Sequence, residues 1–405
     1  LVNATHRAAD GSNTSLSVFG QYDQFRVQQN FTGFVERSTV EPSWVGRGDL
    51  IEQRNRTVSL GASASHRTRA YAPTPWLDAR VEVGLQTRVD SIGQDQSLLQ
   101  APENEVWDER VDADIRATDI GLYGDLDLDV KRWLTLRVGA RADVLFYEVD
   151  DRLGNRVPAF REPTSLVGHR RSAFGVAAGP RTSLVVRPTD ALSLFASYGE
   201  GFRSPQARTL EDGERAPFTK VRSADLGWGL RTDDWLELRG VGFFTHLADD
   251  VAFEPREGRL ERVGATRRLG ATLFAKVHAP SWLTAAASLT FVDAELLEPP
   301  PGNAMDPEPA FEAGQNLPYV APWLFRMDVA ARGELAKVGR HVFTGRAGIG
   351  FTQLSARPLP HGEFSAPVSL LDLSASIAWN SVEIAAQVQN LLGAEYAATE
   401  FTFAS

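Results

Sequence analysis

The chain has 405 residues, of which 23% are charged, with a net charge of −10 and no cysteine. The acidic balance argues against a nucleic-acid partner, because binding to phosphates requires a basic face, and the absence of cysteine excludes thiol catalysis, thiolate metal sites and disulfides. No apolar run approaches the roughly 18 residues that a transmembrane helix needs, so a helical membrane protein is excluded as well.

Apolar and polar residues alternate with a period of two along most of the chain. In one such segment Leu134, Leu136 and Val138 alternate with Thr135 and Arg137. This period places successive side chains on opposite faces of a β-sheet. About sixteen segments follow it, and many are longer than a usual globular strand. The clearest lie at 125–130, 133–141, 235–239, 282–291, 371–377 and 382–389. No linker divides them, so we expect a single β-barrel domain over residues 1–405.

The connections between these segments alternate in length. Short connections lie at 131–132, 188–191, 233–234, 280–281 and 380, and long ones lie at 36–52, 99–110, 153–171, 204–217, 298–318 and 358–367. Antiparallel strands joined in this way place the tight turns on one rim and the extended loops on the other. Transmembrane barrels have this arrangement, whereas a soluble sandwich does not require it.

Tryptophan marks one of these two rims. Trp76, Trp133, Trp235 and Trp282 each follow a short turn, and Trp379 precedes one. Indole side chains suit the headgroup level of a membrane, and transmembrane barrels carry aromatic girdles there. Packing in a soluble core explains any single tryptophan equally well, but five at equivalent positions favour a girdle at one height.

Motifs of catalysis or cofactor binding are not found in the sequence. The seven histidines are scattered, with no pair at the spacing of a metal-binding helix. We therefore expect no enzyme activity, no catalytic residue, no metal site and no cofactor. Asp125, Asp127 and Asp129 alternate with apolar residues, and we interpret them as lumen-facing acids that balance arginines. A ladder of cation ligands is the alternative interpretation.

Four stretches of the chain resemble one family of outer-membrane proteins. Residues 194–205 read Leu-Phe-Ala-Ser-Tyr-Gly-Glu-Gly-Phe-Arg-Ser-Pro, and residues 388–396 read Val-Gln-Asn-Leu-Leu-Gly-Ala-Glu-Tyr. Two shorter matches are Val-Gly-Ala-Arg-Ala-Asp at 138–143 and Leu-Pro-Tyr-Val-Ala-Pro at 317–322. They resemble strands of the TonB-dependent receptors, which take up ferric siderophores, cobalamin and other scarce solutes across the outer membrane of Gram-negative bacteria.

The resemblance implies an all-β fold, a transmembrane antiparallel up-and-down β-barrel. About sixteen strands are visible here, whereas such plugged transporters have twenty-two. The family also carries a plug domain with an energy-coupling box, and an aromatic-ended closing strand, and neither is recognisable in this chain. We therefore expect a fragment that lacks the plug, about five early strands and the closing strand.

The resemblance further implies active uptake of a scarce solute, with a ferric siderophore favoured. The implied partners are outer-membrane lipid, a TonB-type energy-transducing complex that acts through the plug, and a metal chelate or other small solute. A passive porin-like channel and a structural or adhesive barrel remain the alternatives.

Two sets of residues are candidates for binding. Anionic iron chelates suit a cationic and aromatic rim, which suggests these outer-loop residues as ligand-binding: Trp44, Arg47, Trp107, Arg170, Arg171 and Arg203. The alternative for each is that it snorkels or pairs with acids of the loops. Strand parity suggests Arg137, Arg141 and Asp143 as lumen residues that face the plug.

Overall fold

The computed structural model describes residues 1–30, 50–100, 102–153, 169–203, 217–232, 235–254, 259–279, 282–299, 312–359 and 362–397. Seventeen strands in these ranges form one antiparallel sheet. Within the same ranges, no helix has the length and apolar character needed to cross a membrane.

The strands are, in chain order, β1 Val2–Arg7, β2 Asn13–Gln29, β3 Leu50–Arg67, β4 Tyr71–Thr74, β5 Leu77–Gln100, β6 Glu105–Val130, β7 Leu134–Asp151, β8 His169–Val186, β9 Leu192–Arg203, β10 Thr219–Thr232, β11 Leu236–Glu254, β12 Arg259–Ala279, β13 Leu283–Glu298, β14 Trp323–Val338, β15 His341–Leu354, β16 Val368–Trp379 and β17 Val382–Val388.

The sheet is an up-and-down meander. Each strand pairs with the next in the chain, except that β3 pairs with β5 and the four-residue β4 is a short addition to the start of β5. In the described part of the chain, β1 and β17 are not paired with each other. The predicted all-β antiparallel architecture is confirmed. The strand count is seventeen, against about sixteen predicted, and one of the seventeen is the four-residue β4.

The two faces of the sheet differ in chemistry. On one, here called the apolar face, large side chains are exposed, among them Leu60 (60%), Leu122 (62%), Leu226 (70%) and Ile384 (74%). Removing a side chain of this size from water contributes about 1.5–3 kcal/mol, so a continuous exposed belt of them requires an apolar surrounding. The opposite face, here called the polar face, carries the charged partners of the alternation.

The connections alternate in length, as predicted, except that the long loop predicted at 99–110 is largely strand. β5 runs to Gln100 and β6 starts at Glu105, so only four residues join them. β8 begins at His169, inside the segment predicted as loop. The alternation is lost in the β5–β6 hairpin because Leu98 and Val111 are buried on the polar face there, while the opposite side carries aspartates. A period of two therefore no longer separates apolar from polar residues.

The tryptophans after the short turns share one position in the ladder. The carbonyls of Trp76, Trp133, Trp235 and Trp282 each accept a hydrogen bond, at 2.6–3.0 Å, from a backbone N–H of the neighbouring strand or of the residue that follows it. Their side chains are about half exposed. Trp379 stacks on Phe343 with ring centroids 5.8 Å apart. The predicted common height of these residues at the turn side is confirmed.

A single asparagine organises the turn after β17. Asn390 has a positive φ of 51°, its Nδ2 donates to the Ala394 carbonyl at 2.9 Å, and its Oδ1 accepts from the Ala394 N–H at 2.9 Å. Its own backbone N–H donates to Asp372 Oδ1 on β16. An amide both donates and accepts, and asparagine tolerates the left-handed region, so this position suits asparagine better than other residues.

Candidate functional site

Charged side chains are concentrated on the polar face of β3 and β5 to β8. We call this group the charged belt and define it as Arg67, Arg80, Asp125, Asp127, Asp129, Arg137, Arg141, Asp143 and Arg181. Register places the members on one face, because residues opposite one another in neighbouring strands point to the same side.

The aspartates of β6 form the lower part of the belt, towards the turn side. Asp127 is 7% exposed and accepts from Arg137 Nε at 2.5 Å and from Arg67 Nη2 at 2.7 Å. Asp129 accepts from Arg80 at 3.1 Å. The interpretation of these acids as partners of arginines is confirmed. No group of three or more histidine, aspartate or glutamate side chains is arranged to hold a metal ion within the described residues.

Arg141 and Asp143 form the upper part of the belt. Arg141 Nε donates to both carboxylate oxygens of Asp143 at 2.8 Å, and its Nη1 donates to Gln86 Oε1 at 2.9 Å. Asp143 has no exposed surface. A Cβ at Gly121, opposite Asp143 on β6, would collide with the Asp143 carboxylate. Glycine there leaves room for the ion pair to lie flat against the wall.

Arg181 joins β8 to the same network. Its Nε donates to Asp125 Oδ1 at 2.7 Å, and its guanidinium lies 5.4 Å from the centroid of the Tyr123 ring. The Tyr123 hydroxyl donates to Glu82 at 3.0 Å. Each arginine of the belt is therefore held by at least one carboxylate. The belt presents an ordered array of charges, so a partner seated against the polar face meets fixed donors and acceptors rather than flexible ones.

The predicted plug-facing residues thus lie together. Arg137, Arg141 and Asp143 project from the polar face of β7 and are all members of the charged belt. The three side chains share one face of β7, as strand parity predicts. Their contact with a plug stays a prediction.

The predicted ligand-binding residues are distributed differently. Trp44 and Arg47 lie outside the described residues. Trp107 lies within β6, half-buried on the β5–β6 hairpin rather than in a loop. The predicted loop location is wrong for this residue, because backbone pairing extends past the apolar belt.

Arg170 and Arg171 lie in β8, not in the preceding loop, for the same reason. Arg170 has a side chain that is 86% exposed, pairs with Asp150 at 3.1 Å and follows the parity of the apolar face. Arg171 follows the polar face, is buried and pairs with Asp151 at 3.3 Å. These two consecutive residues of β8 therefore lie on opposite faces of the sheet.

Arg203 ends β9 and belongs to a second polar network near the loop side. Its Nη1 donates to Asp250 Oδ1 at 3.0 Å. Asp250 is 2% exposed and also accepts from Arg268 at 2.6 Å and from Thr266 at 2.9 Å. Asp250 was not among the residues predicted from the sequence. A register shift between Leu247 and Asp250 breaks the period of two, so parity alone does not place this aspartate.

Several solved structures that share this fold are named as receptors or transporters. The ferric yersiniabactin uptake receptor FyuA from Yersinia pestis aligns over 100% of this chain and 57% of its own, with a TM-score of 0.69 and 14% identity. BauA, the ferric preacinetobactin receptor from Acinetobacter baumannii, aligns over 97% of this chain and 58% of its own, with a TM-score of 0.69 and 13% identity. The copper transporter OprC aligns over 95% and 57%, with a TM-score of 0.67 and 14% identity.

At these identities the likeness establishes the fold alone. The chain spans a little over half the length of the structures that it matches. No curated protein sequence matches it. A family model described as "TonB dependent receptor-like, beta-barrel" matches residues 2–391. This match covers nearly the whole chain and agrees with the motifs at 194–205 and 388–396, so the chain belongs to the TonB-dependent receptor family, in its β-barrel part.

Proposed function

We propose that this chain forms the wall and capture rim of an outer-membrane receptor for active uptake of a scarce solute, most favourably a ferric siderophore. The observation that carries the proposal is the division of the sheet into an exposed apolar face and a charged polar face over seventeen strands. Such a wall separates lipid from an aqueous lumen. The tryptophans at the turn side fit the inner interface of that membrane, and the loops fit its outer rim.

Family membership supports outer-membrane location in a Gram-negative bacterium and a role in binding small solutes and TonB. Two of the similar structures are named for ferric siderophore complexes, which favours that class of solute. In the proposed mechanism the loops capture the chelate, a plug blocks the lumen, and the TonB-type complex moves the plug to release it. The role is one of transport, without enzyme activity.

Among the proposed ligand residues, Arg203 is the best placed. It lies on the polar face at the loop-side end of β9, and its side chain is 39% exposed while paired with Asp250. Arg170 is more exposed but follows the parity of the apolar face. An anionic chelate that descends into the lumen therefore meets Arg203 rather than Arg170.

The test is uptake of radiolabelled iron by cells that express the complete receptor, plug included, and are supplied with a panel of ferric chelates. Active transport predicts saturable uptake of one chelate that stops when TonB or the proton gradient is removed. Uptake that persists without either would contradict the proposal and favour a passive channel. A barrel that moves no solute in these cells and in vesicle-swelling assays would instead favour a structural or adhesive role.

At the residue level, Arg203→Gln and Arg170→Gln form a matched pair. We expect Arg203→Gln to weaken chelate binding and Arg170→Gln to leave it unchanged, with folding of both variants checked by heat-modifiable electrophoretic mobility. Equal binding by the two variants would remove Arg203 from the capture site.

A further inference from the structure

A cavity opens on the polar face at the turn side, far along the strands from the loops that the proposed function uses. It has a volume of about 250 Å³ and is formed by the ends of β8 to β11. Its charged lining consists of Arg187, Arg231, Arg239, Asp190 and Glu237. Three guanidinium groups and two carboxylates therefore line a space that is large enough for a small solute or for one group of a larger solute.

Register explains why the arginines converge. Arg231 on β10 lies opposite Glu237 on β11, and Gly229 lies opposite Arg239, so all four positions share the polar face. Ser193 on β9 lies opposite Gly229 and donates to its carbonyl at 3.3 Å. Ser193 and Gly229 thus place no long side chain in the cavity at these two positions.

The three arginine side chains differ in their hydrogen-bond and ion-pair partners. Arg239 is ion-paired with Glu237, and Arg187 donates to Thr135 at 3.2 Å. The exposed Arg231 side chain makes no hydrogen bond or ion pair with any described residue; Asp233 and Asp234, in the turn that follows, lie outside those residues. Arg231 thus differs from the arginines of the charged belt, each of which is held by a carboxylate.

We propose that this cavity is a binding subsite for a small oxyanion, a carboxylate or phosphate group carried by a solute. A free guanidinium offers five N–H donors in a planar fork that matches two oxygens of such a group. A second guanidinium of the lining, that of Arg239, completes the recognition of an anion. The polar face points away from the exposed apolar belt, so the anion reaches the cavity from the aqueous lumen and not from a lipid headgroup. This subsite does not depend on which solute the loops capture.

The test is chemical footprinting of arginines in the full chain, purified in detergent. Phenylglyoxal modifies solvent-accessible guanidinium groups, and mass spectrometry reports the rate at each arginine. Inorganic phosphate and citrate are added separately, so that the two arms distinguish a phosphate from a carboxylate. At an anion concentration about ten times its Kd, we expect modification of Arg231 and Arg239 to slow roughly tenfold. Arg132, exposed in the turn between β6 and β7 and outside the cavity, should react at an unchanged rate.

Two variants separate a specific subsite from general attraction of anions. Arg231→Gln should weaken protection of Arg239 by roughly tenfold or more, because it removes a charge-assisted hydrogen bond. Arg132→Gln, which changes the net charge equally, should leave that protection unchanged. Failure of both anions to protect Arg231 in the wild-type protein would overturn the proposal, and so would equal protection of Arg132. Neither result depends on uptake, so failure of the subsite and failure of the proposed transport function are distinguishable.

Discussion

Insertion of one arginine on each face of β13 tests which face meets lipid. Ala287 and Ser288 are adjacent and small, and each is partly buried. Ala287 lies opposite Ala275 and Met327 on the apolar face, whereas Ser288 lies opposite Phe274 and Arg326 on the polar face. Ala287→Arg and Ser288→Arg therefore add the same side chain at nearly the same height and differ only in the face that carries it.

The magnitude follows from the position of Trp282, which marks the turn-side end of this strand. Ala287 is five residues further on, about 17 Å along a strand that rises roughly 3.4 Å per residue. At a tilt of about 40° this is roughly 13 Å along the membrane normal, half of an apolar band about 25 Å tall. An arginine facing lipid at the midplane costs about 2–4 kcal/mol, which lowers the folding equilibrium constant by a factor of roughly 30 to 1,000.

Urea titration of folding into phospholipid vesicles, followed by tryptophan fluorescence, measures this cost. We expect Ala287→Arg to lose about 2–4 kcal/mol and Ser288→Arg to lose far less, because its guanidinium stays in the aqueous lumen. Equal losses for the two variants, or a reversed order, would refute the assignment of the faces.

Three smaller predictions concern single side chains. Asp250→Ala should cost about 3–5 kcal/mol of unfolding free energy in the same titration, since it leaves two arginines beside a buried site without their carboxylate. Asn390→Ala should cost about 2–4 kcal/mol, from two lost hydrogen bonds and a positive φ that alanine disfavours, and Asn390→Gly should recover the backbone part of that cost. In the β1–β2 turn, the Ser12 backbone N–H and hydroxyl donate to Asp10 and hold the pKa of its carboxyl below the ordinary value of 3.8. The turn is therefore stabilised above pH 3.8 and loses this contribution as the pH falls through the lowered pKa, and Ser12→Ala should raise that pKa when it is followed by NMR.

Much of the wall follows from sequence because its physics is local. A strand between lipid and water must alternate, so residues such as Val138 and Arg137 identify their faces from their neighbours alone. The tryptophans mark the turn side for a similar reason, since each stands at a fixed distance from a short connection. These features depend on position within one strand and not on contacts between distant ones.

The failures of prediction have physical causes too. Beyond the lipid the outer side of the sheet faces water, so the alternation disappears and paired strand resembles loop, as around Trp107 and Arg170. Bulges have the same effect on a smaller scale, as at Asp250, where two register shifts interrupt the alternation.

The roles of arginines could not be assigned from sequence, because a role depends on what the register brings opposite. Arg203, the residue proposed to meet the solute, is paired with Asp250, forty-seven positions away, and the sequence does not indicate that pair. Nothing in the sequence singles out Arg231, yet its side chain makes no hydrogen bond or ion pair with any described residue. A paired arginine has already exchanged much of its hydration for a fixed partner, so binding an anion there competes with an existing bond. An unpaired arginine in a cavity has no such competitor. Searches for solute-binding positions on this wall should therefore weigh the absence of a carboxylate partner as well as closeness to the loops.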